Sequence, residues 1–200
     1  MIIDPSKLTA RERYKWMIAS IVPRPIAFVS TVSPDGDVNL APFSYFCGIA
    51  STPPVLAISV GPRRNGERKD TLRNVESTGE MVVSLVTEEL AQPMVLTSGE
   101  WPEGRNEFEI AGLSPAPSDL VRPPRVAESP LAIECRVLQR VPVGDDPSWI
   151  VLGEVLRIHV RDDVLTNGMP DPKKLRPLAR LGGDLYAHLG EILEIPRPRV

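Results

Sequence analysis

The chain has 200 residues, of which 42% are hydrophobic and 24% charged, and its net charge is −3. These values are ordinary for a globular protein and lack the basic footprint of a nucleic-acid-binding protein. No apolar stretch approaches the roughly 20 residues that span a bilayer, the first residues do not form a secretory signal, and two distant cysteines do not indicate a disulfide scaffold. The sequence therefore predicts a single cytoplasmic domain over residues 1–200, with no nucleic-acid or membrane partner.

Apolar periodicity divides the chain into many strands and a few helices. Six runs predict strands, over about residues 26–33, 38–41, 55–60, 81–86, 131–137 and 150–160. Three segments predict helices: one that begins with a Thr9–Glu12 capping box, one that Asp70 caps, and one over residues 88–96. The Pro-rich and Gly-rich stretch from Ser98 to Ala127 is expected to cross the surface. Many short strands with few helices predict a β-barrel or a sandwich.

Several common catalytic and metal-binding motifs are absent from the sequence. The chain has neither standard glycine-rich phosphate loop, no G-x-S-x-G and no H-E-x-x-H. His159 and His188 are distant in sequence, so a zinc site is not expected. Residues 35–39 begin like a calcium loop, but Leu40 stands where that loop requires glycine. The sequence therefore predicts no metal site.

The hairpin predicted over residues 23–44 carries the densest group of candidate binding residues. Its strands present hydroxyls and an amide beside a rigid Ala-Pro step, on Ser30, Thr31, Asn39, Ala41, Pro42 and Ser44. Such polar groups suit the phosphate and ribityl chain of FMN, and an Ala-Pro wall suits its ring. On residue types alone, an ordinary hairpin at the solvent edge is the favoured interpretation.

Two later elements could also contact a phosphate or a ring. A cationic loop runs into a predicted helix start, where helix N–H groups, cations and a hydroxyl would meet at Arg63, Arg64, Lys69 and Thr71. Further along, Arg180 and Tyr186 flank paired glycines that allow close backbone approach. A solvated charged loop and a glycine turn with an aromatic anchor are the respective alternatives.

The order and spacing of these motifs resemble the flavin reductase-like family of FMN-binding split barrels, which includes flavoredoxin-like proteins. The matching runs, over about residues 10–190, are Pro-Arg-Pro-Ile, Ser-Thr, Asn-x-Ala-Pro-x-Ser, Lys-Asp-Thr with Asn74 downstream, and Arg-Leu-Gly-Gly-x-x-Tyr. The resemblance implies a mainly β fold, namely an FMN-binding split β-barrel with a Greek-key core and a few peripheral α-helices.

The resemblance also implies roles for the candidate residues. The six hairpin residues would line FMN, Lys69 and Thr71 would hold its phosphate, and Arg63 or Arg64 would assist. Arg180 and Tyr186 would approach late in the chain, from the same subunit or from its partner. These roles leave no side chain as a catalyst, because the flavin N5 carries the chemistry.

The activity that the resemblance implies is an NAD(P)H-dependent flavin reductase. The protein would be a homodimer with FMN at the subunit interface. NADH or NADPH would pass a hydride to FMN, and the electrons would go on to free flavin, a partner protein or a small acceptor. Two alternatives remain open: an FMN electron-transfer protein that a partner reduces, and a cofactor-free, haem-binding or pyridoxamine-phosphate oxidase-like relative. Haem would need an axial ligand, and neither histidine lies in a motif for one.

Overall fold

The computed structural model describes residues 1–145 and 147–198. Its strands are β1 (Arg24–Pro25), β2 (Ala27–Val32), β3 (Val38–Phe43), β4 (Phe46–Ser51), β5 (Pro54–Val60), β6 (Glu80–Leu85), β7 (Pro115–Ala116), β8 (Arg125–Val126), β9 (Leu131–Val143), β10 (Ser148–Val160), β11 (Leu165–Thr166), β12 (Met169–Pro170), β13 (Leu178–Arg180) and β14 (Tyr186–His188). Its helices are α1 (Ala10–Ser20), α2 (Asp70–Thr78), α3 (Ala91–Thr97), α4 (Glu107–Ala111) and α5 (Pro172–Leu175). No helix within the described ranges is long and apolar enough to cross a membrane.

Seven strands form one antiparallel sheet in the order β3-β2-β6-β9-β10-β5-β4. Its two outer strands, β3 and β4, follow each other in the chain and are separated by Ser44 and Tyr45. So short a connection between opposite edges requires the sheet to curl until the edges approach. At that point the Ser59 N–H donates to the Tyr45 carbonyl at 2.9 Å. The sheet is therefore rolled into a barrel that is left partly open.

Strand β2 is buried on both faces because it lies between two apolar clusters. Ala27 and Val29 point into the barrel interior, whereas Phe28 points into a second cluster outside the barrel. This alternation follows from the two-residue period of a strand. Leu72 and Val75 of α2 belong to the interior cluster, so α2 is packed against the barrel.

The sequence-based expectation for residues 98–127 is wrong in one respect: the segment does not only cross the surface. Phe108 of α4, Leu113 and Val126 of β8 are all buried in the second cluster, beside Phe28 and Met94. These anchors are too irregularly spaced to give a strand or helix period. The segment is therefore part of the core, and it forms one side of the site described below.

Strand β4 is the one strand of the seven-stranded sheet that the sequence patterns do not predict. From Cys47 to Ser51 it is exposed, and Gly48 interrupts it. An edge strand with an exposed face shows no apolar alternation, so no signal marks it. By contrast, the Thr9–Glu12 capping box is confirmed, because the Glu12 N–H donates to Thr9 Oγ1 at 3.3 Å and the Thr9 N–H to Glu12 Oε2 at 2.8 Å.

Candidate functional site

A cavity of about 800 Å³ lies where the end of β3, the loop before α2 and the segment after α3 meet. Nine of the twelve residues that the sequence singles out line it: Asn39, Ala41, Pro42, Ser44, Arg63, Arg64, Lys69, Thr71 and Arg180. The other three, Ser30, Thr31 and Tyr186, are not among its lining residues. The structure thus brings together residues that are more than a hundred positions apart in the chain.

Thr31 is fully buried behind the cavity wall, where it orients Asn39. The Thr31 hydroxyl oxygen accepts from Asn74 Nδ2 at 3.0 Å and from Asn39 Nδ2 at 3.3 Å. Asn39 Nδ2 also donates to Thr71 Oγ1 at 3.0 Å. Both amide hydrogens of Asn39 are used in this network, so the amide oxygen is the group that remains for a ligand.

Ser30 lies on the opposite face of β2 from Thr31, as strand alternation requires. It is buried, and its hydroxyl donates to the Pro124 carbonyl. Ser30 therefore anchors the 98–127 segment to the barrel, and its side chain is turned away from the cavity.

Lys69 places a cation beside the N-terminus of α2. It is the N-cap residue of that helix, and its ammonium lies 5.6 Å from the centre of the Phe43 ring. Among the described residues it has no hydrogen-bond or ion-pair partner. Burial lowers the pKa of Lys69, an effect that Glu100 opposes and Arg63 reinforces. A partly desolvated cation at a helix N-terminus, next to the Thr71 hydroxyl, is a chemically suitable site for a phosphate.

Arg63, in contrast, is held by the protein itself. Its Nη2 lies 2.8 Å from Asp70 Oδ2, and its Nη1 donates to the Trp101 carbonyl at 2.9 Å. Asp70 also pairs with Arg73. Asp70 therefore does not cap α2, contrary to the sequence-based expectation; it lies in the first turn, where its carboxylate has two arginine partners. The result is a brace between the two loops that border the cavity.

Arg64 lies at the outer rim of the cavity. Its side chain is 91% exposed, and its Nε is 3.8 Å from Glu100 Oε1. The Arg64 backbone N–H also donates to that carboxylate at 2.9 Å. The Arg64–Glu100 pair is thus a second link between the same two loops.

The third group of predicted residues is built around two arginines. Strands β1 and β13 pair with Arg24 opposite Arg180. Arg24 is buried, and it donates to the Ile18 carbonyl of α1 and to Ser44 Oγ. Arg180 hydrogen-bonds the Tyr186 hydroxyl and lies over its ring. Tyr186 therefore orients Arg180, which itself lines the cavity.

A family model described as the flavin reductase like domain matches residues 19–179. The chain belongs to this family. The family that the sequence motifs resemble is thereby confirmed, and so is the mainly β, split-barrel fold.

Solved structures similar to this chain cover almost all of it. It is 37% identical to nitrilotriacetate monooxygenase component B from Bacillus cereus, with a TM-score of 0.93 and 98% of each chain covered. It is 29% identical to the 2-nitrobenzoate 2-nitroreductase of Pseudomonas fluorescens, with a TM-score of 0.85 and coverage of 99% and 96%. A Shewanella frigidimarina protein described as having a split barrel domain shares the fold at 22% identity, with a TM-score of 0.86 and coverage of 99% and 100%.

Glu107 is a lining residue of this flavin reductase-like protein that sequence reasoning missed. Glu107 is the first residue of α4, and only 6% of it is exposed. Its Oε2 accepts from the Leu40 N–H at 2.9 Å. Burial raises the pKa of Glu107 to about 7, against the lowering effect of the Leu40 hydrogen bond. Nothing in the sequence distinguishes Glu107 from the exposed Glu109 of the same helix. Arg24 was also missed as a site residue, although the proline on each side of it is a visible signal.

Proposed function

We propose that this protein binds FMN in the cavity and is an NAD(P)H-dependent flavin reductase. The observation that carries the proposal is the Lys69 ammonium at the start of α2, which has no hydrogen-bond or ion-pair partner in the part of the chain that the structure describes and shares one cavity with the Ala41–Pro42 wall. The cation and the helix N-terminus suit a phosphate, and the wall suits a flat ring. Family membership and relatives named as a monooxygenase component and a nitroreductase support a redox role.

Bound FMN would supply hydride and electron transfer, while the residues of this chain bind and orient it. Lys69 and Thr71 would hold the phosphate. The Asn39 amide oxygen would accept a hydrogen bond from a ribityl hydroxyl. Ala41 and Pro42 would keep water from one face of the ring. The proposal assigns no acid, base or nucleophile to a side chain.

We also propose that the working form is a homodimer with the cavity at the subunit interface. Helix α1 has no buried residue, and Tyr14, Met17 and the C-cap residue Ile21, which share one face of it, are 60%, 51% and 46% exposed. Large apolar side chains clustered on one exposed surface are typical of an interaction site. Tyr14 and Ile18 of the same helix also line the cavity. A second copy that covered α1 would therefore also enclose the proposed FMN site.

The test is an absorption spectrum of the purified protein with FMN, before and after NADH or NADPH under anaerobic conditions. Protein-bound flavin bands that one nicotinamide bleaches would support the reductase and identify its electron donor. Bound bands that neither nicotinamide bleaches would favour an electron carrier that another protein reduces. If FMN does not bind, the cofactor assignment and the proposed function are both wrong.

A further inference from the structure

Glu107 has an oxygen that the proposed function does not use. Its Oε2 accepts from Leu40, and among the other described residues no group donates to Oε1. Glu107 is one of the residues that line the cavity, and no buried side-chain oxygen or nitrogen of the described residues lacks a partner. A carboxyl group with one oxygen held and the other free can either carry a negative charge or donate a proton to a ligand.

Among the charged side chains that line the cavity, Lys69, Glu107 and Arg180 have no ion-pair partner within the described residues, and Arg180 is held by the Tyr186 hydroxyl instead. Arg63 pairs with Asp70, and Arg64 pairs with Glu100. Among the charged side chains that line this cavity and lie before α4, these pairs leave Lys69 without a partner. Strand β3 and helix α3, which pack against α4, carry no charged side chain. Besides burial, Asp70 in the first turn of α2 raises the pKa of Glu107 and Arg63 lowers it, so Glu107 responds to charges at the start of α2.

We infer that Glu107 takes up a proton when a phosphate-bearing ligand enters the cavity, so that the anion and the proton bind together. The identity of that ligand as FMN rests on the proposed function. With Glu107 neutral, a phosphate held by Lys69 meets no negative charge from this side chain. The neutral carboxyl keeps its acceptor for the Leu40 N–H on Oε2 and gains a donor on Oε1. With Glu107 ionised, an anionic ligand would meet a second, poorly solvated negative charge.

Proton uptake separates this inference from simple attraction by cations. Burial already raises the pKa of Glu107 to about 7 in the ligand-free protein, and a nearby phosphate would raise it further. Binding near pH 7 would thus take up about half a proton, and affinity would fall at higher pH by up to about tenfold per unit. A site made only of cations would instead lower the pKa of the phosphate and release protons.

The experiment is isothermal titration calorimetry of FMN binding at pH 7 and pH 8.5, each in two buffers of different ionisation enthalpy. The wild-type protein should take up protons. Glu107→Gln keeps an acceptor for Leu40 and a donor toward the cavity, so it should bind FMN with near-zero uptake and, at pH 8.5, about tenfold more tightly than wild type. Glu109→Gln, on the exposed face of the same helix, should behave like wild type. Lys69 is unchanged in both variants, so its own protonation cancels in the comparison.

Equal proton uptake by the wild type and Glu107→Gln would overturn the inference and leave FMN binding intact. Absence of any binding heat or spectral change with FMN would instead overturn the proposed function, and this inference with it. If Glu107→Gln does not fold, the wild-type measurement decides alone, because release of protons or zero uptake at pH 7 contradicts the inference.

Discussion

Two buried glutamates of this barrel have opposite surroundings. Glu134 on β9 has no exposed surface, and its carboxylate accepts from the N–H groups of Asp119 at 2.8 Å and Leu120 at 2.7 Å and contacts His159 Nε2 at 2.5 Å. Glu107 is nearly as buried, but besides its own backbone N–H its carboxylate has only the bond from Leu40 among the described residues. The first fastens the 98–127 segment to the barrel, and the second opens onto the cavity.

The number of hydrogen bonds, not burial, separates the two groups. Burial alone would raise the pKa of Glu134, but the hydrogen bonds from Asp119, His159 and Leu120 outweigh it and lower the pKa. With bonds only from Leu40 and from its own N–H, Glu107 follows burial, and its pKa rises to about 7. A carboxylate whose lone pairs are satisfied stabilises structure, whereas one left partly unsatisfied remains available to a ligand.

The largest effect that this comparison predicts is the loss of stability caused by Glu134→Gln. The amide keeps one acceptor oxygen but turns its NH2 donor toward one of the two backbone N–H groups, so the free energy of unfolding should fall by about 3 kcal/mol at pH 7. The folded-state pKa of Glu134 is lowered. The carboxylate therefore contributes to the free energy of unfolding above its unfolded-state pKa, and this contribution is lost as pH falls through its folded-state pKa. Urea unfolding at pH 7 and pH 3.5 checks this, and a variant as stable as wild type at pH 7 would contradict it.

For Glu107→Gln the expected change has the opposite sign. Its folded-state pKa is raised from 4.5 to about 7, so wild-type stability should fall as pH rises between these values and carry the full penalty above pH 7. The variant removes that penalty and should be more stable than wild type by about 2 kcal/mol at pH 8, with no gain near pH 4.5. Urea unfolding across this pH range is the measurement. Destabilisation at both ends of the range would show that Glu107 is a structural residue like Glu134.

Lys69→Ala tests the free cation of the cavity. Loss of one charge-assisted hydrogen bond should weaken FMN binding by about 2 kcal/mol, or about thirtyfold, while the free energy of unfolding changes by less than about 1 kcal/mol. Quenching of flavin fluorescence measures the affinity. The adjacent exposed Arg68→Ala is the matched control. Unchanged affinity in Lys69→Ala would move the phosphate site away from α2.

The parts of this molecule that sequence predicts are those set by local chemistry. The Thr9–Glu12 capping box and the hairpin turn at Asp35-Gly36 involve neighbouring residues, and Gly36 adopts the positive φ of +100° that such a turn needs. The apolar runs of the long strands β9 and β10 give a period that is visible without the fold. The hairpin and the Lys69–Thr71 motif supply six of the nine predicted residues that line the cavity for the same reason.

The parts that sequence does not predict depend on distant pairings. Whether Arg63 is free for a ligand depends on Trp101, which lies 38 positions away. Glu107 becomes a site residue only because α4 packs on β3, 67 positions earlier in the chain. Ser30 and Thr31 are adjacent and chemically alike, yet alternation sends them to opposite faces of β2. Such roles follow from tertiary packing, which no local pattern contains.

The smallest expected effect is that of Arg64→Ala, which tests the rim of the cavity. The Arg64 side chain is 91% exposed and lies 3.8 Å from Glu100, and an ion pair of this kind contributes at most about 1 kcal/mol. Its removal leaves the Glu100 carboxylate unpaired near Lys69, so FMN affinity should fall by about threefold or less. Glu100→Gln in the same background should restore the FMN affinity. At 0.5 M salt the Debye length is about 4 Å, so the difference in affinity between Arg64→Ala and wild type should disappear. A loss as large as that expected for Lys69→Ala would mean that Arg64 contacts the phosphate directly, and the partnered and free cations of the cavity would then have to be reassigned.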